Sequence, residues 1–497
     1  MQGRKQFTEK LFVSFQLSGR VPQDNFYRRL KEVLDLQWLY KKTAKYYGAE
    51  GQESIDPVVF FKLILIGYLE NITSDRRIIS MASMRLDMLF FIGYDIDETL
   101  PWHSTLSRTR QLYGQEVFME LFKDVLKQCI DKGMVAGRRQ AIDSVFVKAN
   151  ASLDSLARKE ILEDAQVYGK ELKDQDRGKE LPENISNEKY YSATDPDARI
   201  STKPGKPRHF NYLSQVSVDT ANHVITNIEA HHSDKTDSQC LAEVVDNTIE
   251  NLTSEGLEVE EVICDGSYSS GEALEHLEKI DVTGYIADRG KYIAERKDFV
   301  YNEQEDYYQC RHGKKLRYIN TYKDSKGYFK KHYSSNRRDC KSCPFKLQCL
   351  GETARYKKLA DTVDKPLYDR MHVRMQTAKG KLMRKLRQST VEPVIGTLVC
   401  YGGMRKVNTI GIVQANKCML MAAVAYNLKK LLKWKENKRT FSLKSIKIMA
   451  EALFSTYCRL LVMLGSKFIP VCSKQYARRL SRRGINKVGT LNLSFQF

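Results

Sequence analysis

A chain of 497 residues, 42% hydrophobic and 29% charged, has the make-up of a soluble globular protein with room for roughly two to four domains. Its net charge of +20 is unevenly spread: from Gly403 onward nineteen Lys/Arg face only Glu436 and Glu451, which favours nucleic acid or an anionic surface as a partner. The first residues lead into no long apolar run, and the most hydrophobic windows (58–69 and 418–432) are too short or too interrupted by Lys to span a bilayer, so a cytoplasmic protein without membrane contact is expected.

Residues 1–135 read as helical. Apolar residues at helical spacing predict a helix over 25–39, and Asp56-Pro57 has the form of an N-cap with Pro at the first helical position, opening an apolar helix over 58–69. Ser74-Asp75 begins another helix, and Ser104-Thr-Leu-Ser-Arg-Thr-Arg110 leads toward one over 115–132. A helical scaffold and a DNA-binding helix-turn-helix module both fit this pattern; in the second, Arg108 and Arg110 would contact phosphates.

A strand over 141–149 carries Asp143. Residues 150–210 are charged, rich in Pro and poor in apolar periodicity, and read as an insertion with a helix over 153–172. Strands over 212–219 and 223–230 form a hairpin around Thr220-Ala-Asn222, and a helix over 238–251 follows. Residues 259–268, Val-Glu-Glu-Val-Ile-Cys-Asp-Gly-Ser-Tyr, are a short apolar run stopped by Asp265-Gly266. That is the pattern of a buried α/β strand presenting a carboxylate at its carboxyl end, where open sheets place ligands, although Asp-Gly also ends many strands with no such role. A helix over 270–278 and a strand over 284–287 complete a mixed sheet with helices on its faces.

Seven of the eleven cysteines are scattered singly, whereas Cys310, Cys340, Cys343 and Cys349 fall within forty residues. Their spacing suits a structural Zn²⁺ site, with His312 as an alternative ligand; four unrelated thiols are the plainer reading. Basic and aromatic residues between them, such as Tyr318, Tyr322 and Lys330, suit a small β-rich insertion that touches DNA. Further on, Glu392 lies in a basic helical segment, and the clusters Lys429–Arg439 and Arg478–Arg483 suit phosphate contacts or a solvated surface.

Strands carrying acidic residues in this order have the layout of the ribonuclease H-like fold, and the chain resembles DDE transposases of bacterial insertion sequences. The matching motifs are Ile142-Asp-Ser-Val-Phe-Val-Lys-Ala-Asn-Ala151, Ser192-Ala-Thr-Asp-Pro-Asp-Ala-Arg199, Asp265-Gly-Ser-Tyr268, Thr390-Val-Glu-Pro-Val-Ile-Gly396, Gly403-Met-Arg-Lys406 and Tyr426-Asn-Leu-Lys-Lys-Leu431. The resemblance implies a helical DNA-binding domain (1–135), a ribonuclease H-like catalytic domain (136–440) interrupted by the charged insertion and by a cysteine-rich one (290–365), and a basic tail (441–497). It implies Asp143, Asp265 and Glu392 as ligands for two Mg²⁺ or Mn²⁺ ions, Asp143 bridging them. It also implies double-stranded DNA as partner, both terminal inverted repeats and target, with a homodimer assembling on it in the bacterial nucleoid. Relatives often carry an Arg four residues before the Glu and a Lys seven after it; here those positions hold Gln388 and Val399, so Arg387, Arg405 or Lys406 would stand in. A DDE-type nuclease, or a zinc-containing DNA-binding descendant that does not transpose, are the competing functions.

Overall fold

The computed structural model describes residues 14–434 apart from 49, 51–53, 160–185, 202–207, 289, 291, 293 and 326. The predicted tail lies outside the described residues, as does most of the 150–210 segment.

The N-terminal region is helical. Asn25 accepts from the Tyr27 and Arg28 amides and starts α1 (Phe26–Val33). The single helix expected over 25–39 breaks after Val33, because the Asp35 side chain accepts from the Gln37 amide and turns the chain before a second helix, Trp38–Thr43. Asp56 accepts from Val58 and Val59 at the start of α2 (Pro57–Leu69), which is buried on nearly every side. Helices α3 (Asp75–Met84), α4 (Leu86–Ile92), α5 (His103–Leu112) and α6 (Gln115–Asp131) surround it, with Phe61 stacked on Tyr113.

The central sheet is mixed. Strand β1 (Arg139–Lys148) pairs antiparallel with β3 (His209–Asp219), which carries β2 (Arg199–Ser201) and β4 (Ile225–His232); on its other side β1 runs parallel to β5 (Glu261–Cys264), and β5 to β6 (Thr283–Ile286). The expected hairpin is β3–β4, with His223 at φ 57° in its turn. In place of the start of a helix at 153, Leu153–Ser155 form one tight turn and Leu156–Arg158 pair with Tyr190–Ser192. Ser152 holds the Asp154 amide and Ser155 meets Ser192 at 2.7 Å, so strand pairing wins over helix.

Helices α7 (Asp237–Thr253), α8 (Gly271–Lys279) and α9 (Lys365–Gln376) share one core with β5 and β6 through Leu241, Val245, Ile263, Leu274 and Met371. The other core is continuous from the N-terminal helices to the sheet. Its spine is α11 (Ile412–Lys433), which packs on α2, α6 and β4. Edge strand β4 is covered by side chains of α11: Asn427 bonds both backbone groups of Ile225, and Asn416 accepts from the Ala230 amide. Between β6 and α9 the chain builds a separate antiparallel sheet of β7 (Phe299–Asn302), β8 (Tyr307–Cys310), β9 (Lys315–Lys323), β10 (Phe329–Ser335) and β11 (Lys358–Thr362) around Tyr308, Leu316, Tyr333 and Leu359.

Candidate active site

Parallel pairing of β1 with β5 aligns Ala141 with Ile263, and two residues farther along the two chains come Asp143 and Asp265. Gly266 makes the turn after Asp265 feasible: a Cβ there would stand 2.9 Å from the Asp288 carbonyl oxygen. The Asp265 carboxylate accepts from the Ser267 amide at 2.8 Å and from the Ser267 hydroxyl.

The third residue comes from α10 (Ala378–Tyr401), a long helix that packs across β1, β3 and β5. Pro393 lies within it, so the Ser389 carbonyl loses its helical donor. On this helix Arg387 reaches two carboxylates at once: Nη1 donates to Asp143 Oδ2 at 2.7 Å and Nη2 to Glu392 Oε1 at 3.0 Å. Arg387 is 12% exposed and Asp143 18%, while Glu392 is 51% exposed. Burial pushes Asp143 up to about 6; the Ser144 amide and Arg387 oppose this, and the charges of Asp265 and Asp237 add to it.

Asp237 is the residue that sequence reasoning missed. It opens α7, where an acidic residue beside a capping Thr236 reads as routine helix chemistry. In the fold it accepts from Ser267 Oγ at 2.6 Å and from Gln215 Nε2 at 3.1 Å, and Gln215 in turn accepts from the buried Tyr268 hydroxyl. Ser267 Oγ, with one proton to donate, thus sits between the Asp237 and Asp265 carboxylates, and Asp237 extends the contact to Gln215 and Tyr268.

The donor set is all carboxylate oxygen, which suits hard divalent cations. Among the described residues no three His, Cys, Asp or Glu side chains converge as a metal cage. A guanidinium stands between two of the expected ligands, so positive charge already occupies part of the space a cation would take.

Basic residues differ in their placement. Arg405 and Lys406 are exposed on a segment clamped to the end of β1, where the Lys148 amide donates to the Arg405 carbonyl and Val407 to that of Lys148. Asn71 and Asn408 tie the same segment to the turn after α2. Arg108 is exposed on α5. Arg110 corrects the expectation of a phosphate contact: it is buried, and both terminal nitrogens bond Asp75, at 2.6 and 3.0 Å. Lys429 and Lys430 are half-buried and donate to the carbonyls of Leu69 and Asn222, which leaves exposed Lys433 as the described part of that cluster open to solvent.

Cys310, Cys340, Cys343 and Cys349 are free, half-buried thiols at one end of the second sheet. Burial raises the Cys349 thiol, Lys357 opposes it, and the other three cysteines reinforce it, so the four are within electrostatic reach. His312 lies against Phe345, ring to ring.

Two family models match the chain: a transposase domain (DUF772) over residues 15–112 and a transposase DDE domain over residues 309–432, the latter containing Arg387 and Glu392. No curated protein sequence matches it. Among solved structures, the piggyBac transposase synaptic complex with hairpin DNA is 10% identical, covering 93% of this chain and 84% of that one at a TM-score of 0.30. The Mos1 transposase paired-end complex with left transposon end is 12% identical, covering 52% and 70% at a TM-score of 0.15. Among the described residues no helix is long and apolar enough to cross a membrane.

Proposed function

We propose that this chain, a DDE transposase, cuts and joins DNA strands at a site made by Asp143, Asp265 and Glu392. The observation that carries the reading is the meeting of three chain segments at one sheet mouth: neighbouring parallel strands bring Asp143 and Asp265, and α10 brings Glu392 through Arg387. The strand order β4-β3-β1-β5-β6 supports the ribonuclease H-like reading of the catalytic region.

Two Mg²⁺ or Mn²⁺ ions held there would stabilise the attacking and leaving oxygens of an in-line displacement at phosphorus. The chain's own residues do the rest. Asp143 on β1 and Asp265 just past the end of β5 would provide ligands, Ser267 and Asp237 would orient the Asp265 carboxylate, and Glu392 would approach from the more exposed helix. Arg405 and Lys406, fixed to the end of β1, would hold the DNA backbone beside the scissile phosphate, with Arg108 contacting it from the helical region. Inverted repeats and target duplex are the DNA partners, and a homodimer would bring two ends together.

Asp265→Asn tests this reading. Cleavage and strand transfer of a supplied element end should fall by at least about a thousandfold, with DNA binding within about twofold of wild type, because a neutral amide is a poor ligand for a hard cation. A variant that still cuts at near the wild-type rate removes Asp265 from the mechanism. One structural Zn²⁺ on Cys310, Cys340, Cys343 and Cys349 is the companion proposal, supported by their spacing and electrostatic reach; zinc would have to draw together thiols that do not converge as a cage here. Elemental analysis of chelator-free protein should give about one zinc per chain; metal-free protein with an intact second sheet would end it.

A further inference from the structure

We propose that Arg387 is a displaceable counter-ion: it holds Asp143 and Glu392 together before metal binds, competes with divalent cations for them, and, once displaced, turns its guanidinium to a DNA phosphate. This rests on the reading of the three carboxylates as metal ligands.

The geometry is unusual for a structural ion pair. Two nitrogens of one side chain serve carboxylates on different elements, one on a central strand and one on the helix that carries the arginine itself. A structural pair tends to fork onto one carboxylate, as Arg110 does on Asp75. Arg387 thereby lowers the mutual repulsion of a site in which Asp143 also feels Asp265 and Asp237. One guanidinium carries a single positive charge against the two carboxylates it bonds, and Asp143 feels two more, so the neutralisation is partial.

The restraints on the two ends differ. Asp143 is fixed by strand pairing opposite Val216 of β3, two residues past the last pair with β5, whereas Glu392 is half exposed on its helix. A cation arriving at Asp143 and Asp265 therefore competes with the guanidinium for Asp143 Oδ2 and leaves it with one weak, solvent-screened partner. A guanidinium released at the site mouth has the planar fork that suits a phosphate. Divalent charge enters, the arginine leaves, and the negative substrate takes the arginine up. The exchange also links metal loading to DNA capture, since each removes the other's competitor.

The experiment measures Mn²⁺ binding to full-length protein by calorimetry, without DNA, in wild type, Arg387→Gln and Arg387→Lys, with circular dichroism to verify folding. Arg387→Gln should bind Mn²⁺ about three- to tenfold more tightly, since a positive competitor within a few Å is gone. It should also cleave DNA more slowly at saturating Mn²⁺, because the phosphate loses its fork. Arg387→Lys should tighten Mn²⁺ binding by less, as one ammonium does not span both carboxylates; this variant decides the matter if the Gln form fails to fold. Unchanged or weaker Mn²⁺ binding in the folded variants overturns the counter-ion role. Asp265→Asn, measured alongside, separates the two readings: it should weaken Mn²⁺ binding, and if it does not, the assignment of the carboxylates as ligands fails first.

Discussion

Arg110 and Arg387 each spread a guanidinium over carboxylate oxygens, one deep among the N-terminal helices and one at the mouth of the sheet. Around Arg110 the surroundings are closed: its pair with Asp75 is almost out of solvent, and Lys417, also buried, caps the nearby carbonyls of Arg110 and Tyr113. Around Arg387 one partner is exposed and the other lies beside further carboxylates, the proposed metal ligands. The same pair of functional groups is a rivet where nothing competes for it and an exchangeable ligand where something does.

The largest effect should come from breaking the rivet. Arg110→Ala leaves Asp75 ionised and uncompensated in a buried place, and chemical denaturation should show a loss of about 3–5 kcal/mol or failure to fold. Arg387→Ala should cost less, on the order of 1–2 kcal/mol, since half-exposed Glu392 regains water and Asp143, already pushed up to about 6, takes up a proton more readily than Asp75. Equal losses for the two would erase the distinction.

His231 offers an intermediate, proton-dependent case. Burial opposes its charge, yet hydrogen bonds to Cys240 and Glu229 win and push it up to about 9. Its folded value lies above the ordinary 6.5, so its stabilisation is fully present below about pH 6.5 and is lost as pH rises through 9. His231→Gln should therefore cost on the order of 2 kcal/mol at pH 6, shrinking toward zero near pH 10 in parallel melts. A cost independent of pH would show that shape, and not charge, matters there.

The smallest effect on stability belongs to exposed Arg405 and Lys406. Replacing both with Gln should leave melting unchanged within about 0.5 kcal/mol and flatten the slope of log DNA affinity against log salt by roughly 1.8, if each contacts one phosphate. An unchanged slope would take both off the DNA.

What the sequence made legible follows physical range. Asp143 and Asp265 could be read because each sits on an apolar run with strand periodicity, and strand adjacency then aligned them. Asp56 could be read as a cap because capping is settled within four residues. Arg110 could not: its partner is 35 positions away, and a basic residue on a polar helix looks exposed until that partner is found. Asp237 was hidden by its ordinary local role, and only the spatial neighbour Ser267 reveals another. The break after Val33 turned on one side chain, Asp35, against an otherwise helical pattern.

The Ser192–Arg199 motif has a consequence for how the molecule is held together in time. Asp195, fully buried, accepts from the Tyr212 hydroxyl and the Gly411 amide, and Asp197 accepts from the Ile412 amide at 3.0 Å. These aspartates act as a clasp on the first turn of α11 from more than two hundred positions upstream. Closing so long a span carries an entropy cost, and the clasp is expected to form after the strands that carry it. Native-state hydrogen exchange should then group the Gly411 and Ile412 amides with β3, and not with the surface loop they belong to. Loosening the clasp would free α11 from its first turn onward and, with it, the helix that links the N-terminal helices to the sheet edge.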